Sequence, residues 1–116
     1  MTAMFVYVTA ADAEEARQIG LTVVRERLAA CANVLGGMTS IFRWRGAVEE
    51  STEAVLIMKT ENDRLPQLID RVKALHSYES PCVVAMPIAQ GDAAFLHWIR
   101  DETREGREST GLPDID

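Results

Sequence analysis

The sequence of 116 residues has few cysteines and no excess of basic charge, and these shortages exclude several classes of protein. Its two cysteines, Cys31 and Cys82, are far apart and form no CxxC pair, so we exclude a disulfide scaffold and predict a reducing compartment. The 12 Lys and Arg residues against 18 Asp and Glu residues give a formal net charge of −6. Proteins that bind a phosphate backbone usually carry a basic surface, so we predict no nucleic-acid partner.

Long apolar runs and the common enzyme motifs are also lacking. No stretch approaches the length of a membrane-spanning helix, and the first residues carry no basic segment ahead of an apolar run, as a signal peptide would. We therefore predict a cytoplasmic protein without a membrane partner. The sequence contains no GxSxG, no HExxH and no glycine-rich phosphate loop after a strand, so we predict that it is not an enzyme and has no organic cofactor.

What is present is the composition of one ordinary globular domain. The chain is 47% hydrophobic and 26% charged, and its length suits a single core. Residues 1–103 carry the regular patterns and are predicted to form this domain. Residues 104–116 are mostly polar and contain Gly106, Gly111 and Pro113, so we predict a C-terminal tail that is ordered at most in part.

The periodicity of apolar residues predicts four strands and three helices. Asp12 followed by Glu15 resembles a capping box, so a helix is predicted to open there and to end near Ala30. Short apolar runs predict strands, and apolar residues at helical spacing predict two further helices. In chain order, the predicted elements are a strand at 4–9, a helix from 12 to about 30, strands at 32–48 and 52–60, a helix at 65–75, a strand at 82–88 and a helix at 93–103.

This order, β-α-β-β-α-β with an added helix, is that of the ferredoxin-like fold of the α+β class. Right-handed crossovers place both main helices on one face of a four-stranded antiparallel sheet. The predicted strand at 52–60 has apolar residues at the centre of both of its faces. The face opposite the helices therefore needs a second cover, for which neighbouring copies of the chain are the simplest source.

The second and third predicted strands form one long antiparallel hairpin. Gly36 and Gly37 interrupt the first of them as a bulge would, and residues 48–51 are predicted to be the polar connection. Such a hairpin extends beyond a domain of this size. Its outer half carries Ile41, Phe42 and Trp44, whose burial requires another copy of the chain, so we predict a homo-oligomer.

Six segments of the chain together resemble the CutA divalent-cation tolerance family. In order they are TAAD at 9–12, RLAACANVLGG at 27–37, SIFRWRG at 40–46, LIMKT at 56–60, HSYESP at 76–81, and PI at 87–88 followed by GD at 91–92. The resemblance implies a homotrimer in which the sheets face a central axis and the hairpins reach neighbouring subunits. This assembly is similar to that of PII-type signalling proteins. It also implies metal ions as partners, and the protein partner is not identified.

Four side chains are candidate ligands of copper or another divalent cation. His76, Glu79 and Cys82 are spaced three apart around a predicted turn, and Cys31 supplies a second thiol. The alternatives stay open: His76 also suits the end of a helix, and either cysteine suits a buried apolar position. A fifth candidate, His97, suits a solvated helix surface.

The family resemblance implies a copper site that this chain carries only in part. In some members the ligands are a cysteine near the end of the first strand and a histidine pair before the turn. This chain has Val8 and Leu75 at two of these positions and keeps His76. It also has Cys82 where the family usually has a glutamate, so we hypothesise that this thiol restores affinity for soft metals.

A second candidate site is a ligand cleft between subunits lined by Trp44, Lys59 and Tyr78, with His76 and Glu79 nearby. The alternatives are an interfacial ion pair for Lys59 and a packing role for Trp44. Three functions follow from these readings. The first is a trimeric tolerance protein able to bind copper, the second is a PII-like sensor of a small ligand, and the third is a non-catalytic trimeric scaffold.

Overall fold

The structure is a computed structural model that describes residues 2–104 of the chain. The predicted tail lies outside the described residues except for Arg104. Seven elements are present in the order β-α-β-β-α-β-α. They are β1 (Ala3–Ala10), α1 (Ala13–Arg25), β2 (Cys31–Trp44), β3 (Ala47–Glu61), α2 (Leu65–Leu75), β4 (Val83–Pro87) and α3 (Ala93–Glu102).

The four strands form one antiparallel sheet in the order β2-β3-β1-β4. The sheet and the helices confirm the predicted α+β fold. Side chains of α1 and α2 pack on one sheet face, where Val6, Val8, Leu56 and Met58 are fully buried. This face holds the hydrophobic core of the chain.

The first helix begins where the sequence predicts and ends earlier. The Asp12 carboxylate accepts from the backbone N–H of Glu15 at 2.8 Å, and the Glu15 carboxylate accepts from the N–H of Ala11 at 2.9 Å. At the other end, the predicted helix to about Ala30 is wrong, because the chain turns at Arg27 with a positive φ of 60°. This left-handed residue closes the helix without the glycine that usually marks such an end.

The long hairpin is present, but its turn is not at the predicted position. The turn consists of Arg45 and Gly46, with φ of 49° and 82°, whereas residues 48–51 belong to β3 and pair with β2. A two-residue hairpin turn with both φ angles positive matches the twist of its strands. The prediction was wrong because the polar residues after Val48 lie on exposed strand rather than in a loop.

The predicted interruption of β2 is confirmed. Leu35 pairs with Val55, and the next paired residue is Met38, which lies opposite Glu53. The register therefore shifts by one residue, and Gly37 takes a φ of 71° inside this bulge. Beyond the bulge, Ile41 and Trp44 are exposed in the single chain, as predicted.

The sheet face opposite the α1 and α2 core is here called the open face. Strand alternation places Phe5, Tyr7, Leu35, Ile57, Val84 and Met86 on it. Leu35, Val84 and Met86 are 59%, 56% and 58% exposed, respectively. The prediction that β3 is apolar on both faces is confirmed. A contiguous apolar surface of this kind indicates an interaction site.

Candidate functional site

His76 follows α2 and is buried against β1. Its Nε2 lies 2.7 Å from the carbonyl oxygen of Thr9, and its Nδ1 accepts the backbone N–H of Tyr78 at 3.0 Å. Because a carbonyl only accepts, the ring proton is on Nε2 and the Nδ1 lone pair is already used. The neutral imidazole thus anchors the turn to the sheet, and it can ligate a metal only by releasing one of these bonds.

The Glu15 carboxylate joins the start of α1 to the same turn. Besides its bond from Ala11, it accepts the backbone N–H of Ser77 at 2.8 Å. Burial opposes ionisation, but the hydrogen bonds from Ser77 and Ala11 outweigh it and lower the pKa of Glu15. The turn is therefore held from both sides, by a strand carbonyl and by a helix carboxylate.

The Tyr78 hydroxyl reaches from the turn after α2 to β3. It donates to a carboxylate oxygen of Glu53 at 2.6 Å, and Glu53 is itself buried. Burial of the phenol, its hydrogen bond to Glu53 and the charge of Glu53 raise the pKa of Tyr78 from 10.0 to about 12. Glu53 was missed as a site residue, although its signal is present in the sequence as a carboxylate on the same strand face as Val55 and Ile57.

Replacing Tyr78 with phenylalanine is expected to destabilise the protein by about 1–3 kcal/mol, because the buried Glu53 carboxylate loses its donor. Urea unfolding at pH 7 measures this loss. The pKa of Tyr78 is higher in the folded state than its ordinary value of 10.0, which applies to the unfolded chain. Its contribution is therefore complete below about pH 10 and lost as the pH rises through about 12.

The matched control for this prediction is Tyr7→Phe, whose hydroxyl contacts the sulfur of Met38 at 3.7 Å. A thioether is a weak acceptor, so a smaller loss of stability is expected. Equal losses in the two variants would contradict a special role for the bond between Tyr78 and Glu53.

Cys31 lies at the start of β2 beside Lys59. The Lys59 ammonium donates to Asn33 Oδ1 at 3.1 Å and lies 3.9 Å from Cys31 Sγ. Burial raises the pKa of the Cys31 thiol, and attraction to Lys59 only partly opposes the effect. The thiol is therefore protonated at neutral pH, and the adjacent cation disfavours a metal ion there.

The four predicted metal ligands do not converge within one chain. Glu79 and Cys82 are exposed on the segment between α2 and β4, whereas Cys31 pairs with Lys59, opposite Phe5. Phe5 is four residues along β1 from the carbonyl that holds His76, a distance of about 13 Å. Among residues 2–104, no group of three His, Cys, Asp or Glu side chains could hold a metal ion.

The predicted cleft residues are also apart in one chain. Trp44 stands at the hairpin turn opposite Ala47, which is twelve residues, or about 40 Å, from Lys59 along β3. The Arg45 guanidinium lies 5.5 Å from the centre of the Trp44 ring. A cleft that contains both Trp44 and Lys59 therefore requires two chains.

Comparison with known proteins identifies a family for this arrangement. The family model described as CutA1 divalent ion tolerance protein matches residues 4–102. A divalent-cation tolerance protein CutA from Thermus thermophilus is 48% identical over 98 residues, covering 84% of this chain and 95% of the relative. Its solved structure superposes with a TM-score of 0.86 at 46% identity, covering 88% and 99% of the two chains.

Two further relatives are less similar in sequence. A solved structure from Archaeoglobus fulgidus, described as a periplasmic divalent cation tolerance protein CutA, has a TM-score of 0.85 and 39% identity and covers 88% of this chain and 99% of its own. Human protein CutA is 39% identical over 108 residues. The match covers 92% of this chain and 60% of the human protein. In the part of this chain that is described, no helix is long and apolar enough to cross a membrane.

Proposed function

The chain belongs to the CutA1 divalent ion tolerance family, and we propose that it serves this role as a cytoplasmic homotrimer that binds copper or a similar cation. The observation that carries the proposal is the open face with the hairpin beyond it. Both expose large apolar side chains in the single chain. Burial of such surface is the main driving force for association.

An assembly of three copies can bury both the open face and the hairpin of each chain. A closed ring of subunits covers each open face, and a hairpin that extends a chain to 49 Å along its long axis reaches a neighbour. The family is named for tolerance rather than catalysis. We accordingly propose a binding protein, not an enzyme.

The proposed metal site is at the turn after α2. Glu79 and the Cys82 thiol are exposed there, and His76 joins them only by releasing the N–H of Tyr78. Thiolate is the ligand that Cu(I) prefers among these groups. Since one chain lacks a complete ligand set among residues 2–104, we propose that ligands from neighbouring chains complete the coordination.

Anaerobic titration of the reduced protein with Cu(I) tests this site. Replacing Cys82 with serine is expected to weaken Cu(I) binding by about tenfold or more, because the soft ligand is lost. Cys31→Ser is the matched control, for which a smaller change is expected since that thiol lies beside the Lys59 cation. Unchanged Cu(I) affinity in Cys82→Ser would remove the proposed site while leaving the trimer untouched.

One observation favours a PII-like sensor as the second candidate. Trp44 is exposed at the tip of a hairpin long enough to reach another chain, where Lys59 and Tyr78 offer polar groups. A thermal-shift screen separates the candidates, because a ligand that binds only the native protein raises its melting temperature. Under the first proposal metals should raise it. Under the second, a small organic ligand should raise it for the parent but not for Trp44→Ala, which removes the exposed cleft side chain.

A further inference from the structure

A cavity of about 600 Å³ lies between α3 and the sheet end formed by β1, β3 and β4. None of the four predicted metal ligands and none of the predicted cleft residues lines it. Its walls include two charged side chains, Glu61 and Arg100, and the apolar side chains of Pro87, Ile88 and Leu96. A concave site of this size, with charged and apolar side chains on its walls, has room for a small molecule.

Glu61 is the unusual residue of this cavity. It is only 2% exposed, and its carboxylate makes no hydrogen bond or ion pair within residues 2–104. Burial raises its pKa against the attraction of Arg100 and Arg104. Arg104 is already held by both carboxylate oxygens of Asp63, at 3.0 Å each. Glu61 lines the cavity, so a cationic ligand group entering it could pair with a carboxylate that no described side chain engages.

Arg100 faces the same cavity from α3. Its side chain is exposed and makes no hydrogen bond or ion pair with any other described residue, Glu61 included. Glu61 and Arg100 thus line the same cavity without forming an ion pair with each other. The other basic group on the wall, His97, lies 3.5 Å from Asp101 and is already engaged.

The two charges restrict which ligands fit. A simple anion would be attracted by Arg100 but repelled by Glu61. A simple cation would be attracted by Glu61 but repelled by Arg100. A divalent cation would find one carboxylate and no further hard ligand, consistent with the lack of a metal-holding group in the described chain. A molecule with both charges satisfies both side chains.

We propose that this cavity binds a free α-amino acid with an aliphatic side chain. The ammonium group pairs with Glu61, the carboxylate takes a forked pair of hydrogen bonds from Arg100, and the side chain packs on Leu96, Pro87 and Ile88. The inference goes beyond ion tolerance and assigns the protein a second, organic ligand. It does not depend on where a metal binds.

Isothermal titration of the metal-free protein with L-leucine tests the proposal. L-leucine is expected to bind, whereas leucinamide, which lacks the carboxylate, and 4-methylpentanoate, which lacks the amine, are each expected to bind about tenfold more weakly or worse. No heat of binding with L-leucine at millimolar concentration would overturn the inference. Equal binding of 4-methylpentanoate would overturn it too, because Glu61 would then have no role.

Two variants locate the binding to the cavity. Arg100→Gln and Glu61→Gln are each expected to weaken L-leucine binding about tenfold or more. Arg25→Gln is the matched control for the arginine, since Arg25 is also exposed in the last turn of a helix but lies outside the cavity. Equal L-leucine affinity in the Arg100→Gln and Arg25→Gln variants would contradict the assignment. Because Arg100 is exposed, its substitution leaves the core undisturbed.

Discussion

A lysine in place of Ile57 is expected to dissociate the proposed trimer into folded single chains. Ile57 lies at the centre of the open face, paired with Tyr7 on one side and Asn33 on the other. In the assembly its side chain is covered, so an ammonium there would be buried without a partner. Burying this ammonium costs about 3 kcal/mol or more per chain, and each subunit of the assembly bears that cost.

Sedimentation velocity measures this effect, with far-UV circular dichroism to show that the chain stays folded. Gln67→Lys is the matched control, because Gln67 is exposed on α2, which packs on the other side of the sheet. The control is expected to sediment as the parent does. An Ile57→Lys protein that keeps the parent's sedimentation coefficient would show that the open face is not the interface.

Replacing Leu56 with alanine is expected to destabilise the fold itself by about 2–5 kcal/mol. Leu56 is the residue before Ile57, points to the opposite sheet face and is 0% exposed. It pairs with Val8 and Val34, and its Cδ1 is 3.1 Å from the position that a Cβ would take at Gly20. The substitution leaves a cavity where α1 packs most closely on the sheet, and domains of this size have only about 5–15 kcal/mol of stability in total.

Urea unfolding at one fixed protein concentration measures this loss, because assembly links stability to concentration. Leu56→Met keeps nearly the same volume and is expected to lose less than about 1.5 kcal/mol. An alanine variant as stable as the methionine variant would contradict the assignment of Leu56 to the core. Substitutions at the neighbouring positions 56 and 57 thus test folding and assembly separately, since Leu56 lies in the core and Ile57 on the open face.

Local patterns predict most of the fold. The capping residues Asp12 and Glu15, the bulge at Gly37 and the apolar centres of both β3 faces all depend on neighbours close in sequence, and each is confirmed. The turn at Arg45 and Gly46 was missed because a positive φ is uncommon for an arginine, so the glycine that follows was not taken as half of a two-residue turn.

The candidate site depends on contacts between distant segments, and sequence patterns do not reveal these. His76 is compatible with a metal ligand or a helix end when only its neighbours are considered. Its ring is in fact occupied by the carbonyl of Thr9, 67 residues earlier, and by the N–H of Tyr78. Glu53 and Tyr78 are 25 residues apart and meet only in the folded chain.

The central claim is that copper binding belongs to the assembly and not to the single chain. Native mass spectrometry of the reduced protein with one equivalent of Cu(I) per chain tests it most directly. The account predicts copper on a species of three times the chain mass of 12.9 kDa, about 39 kDa, and no copper on the monomer. A copper-loaded species at 12.9 kDa, with no trimer, would contradict it.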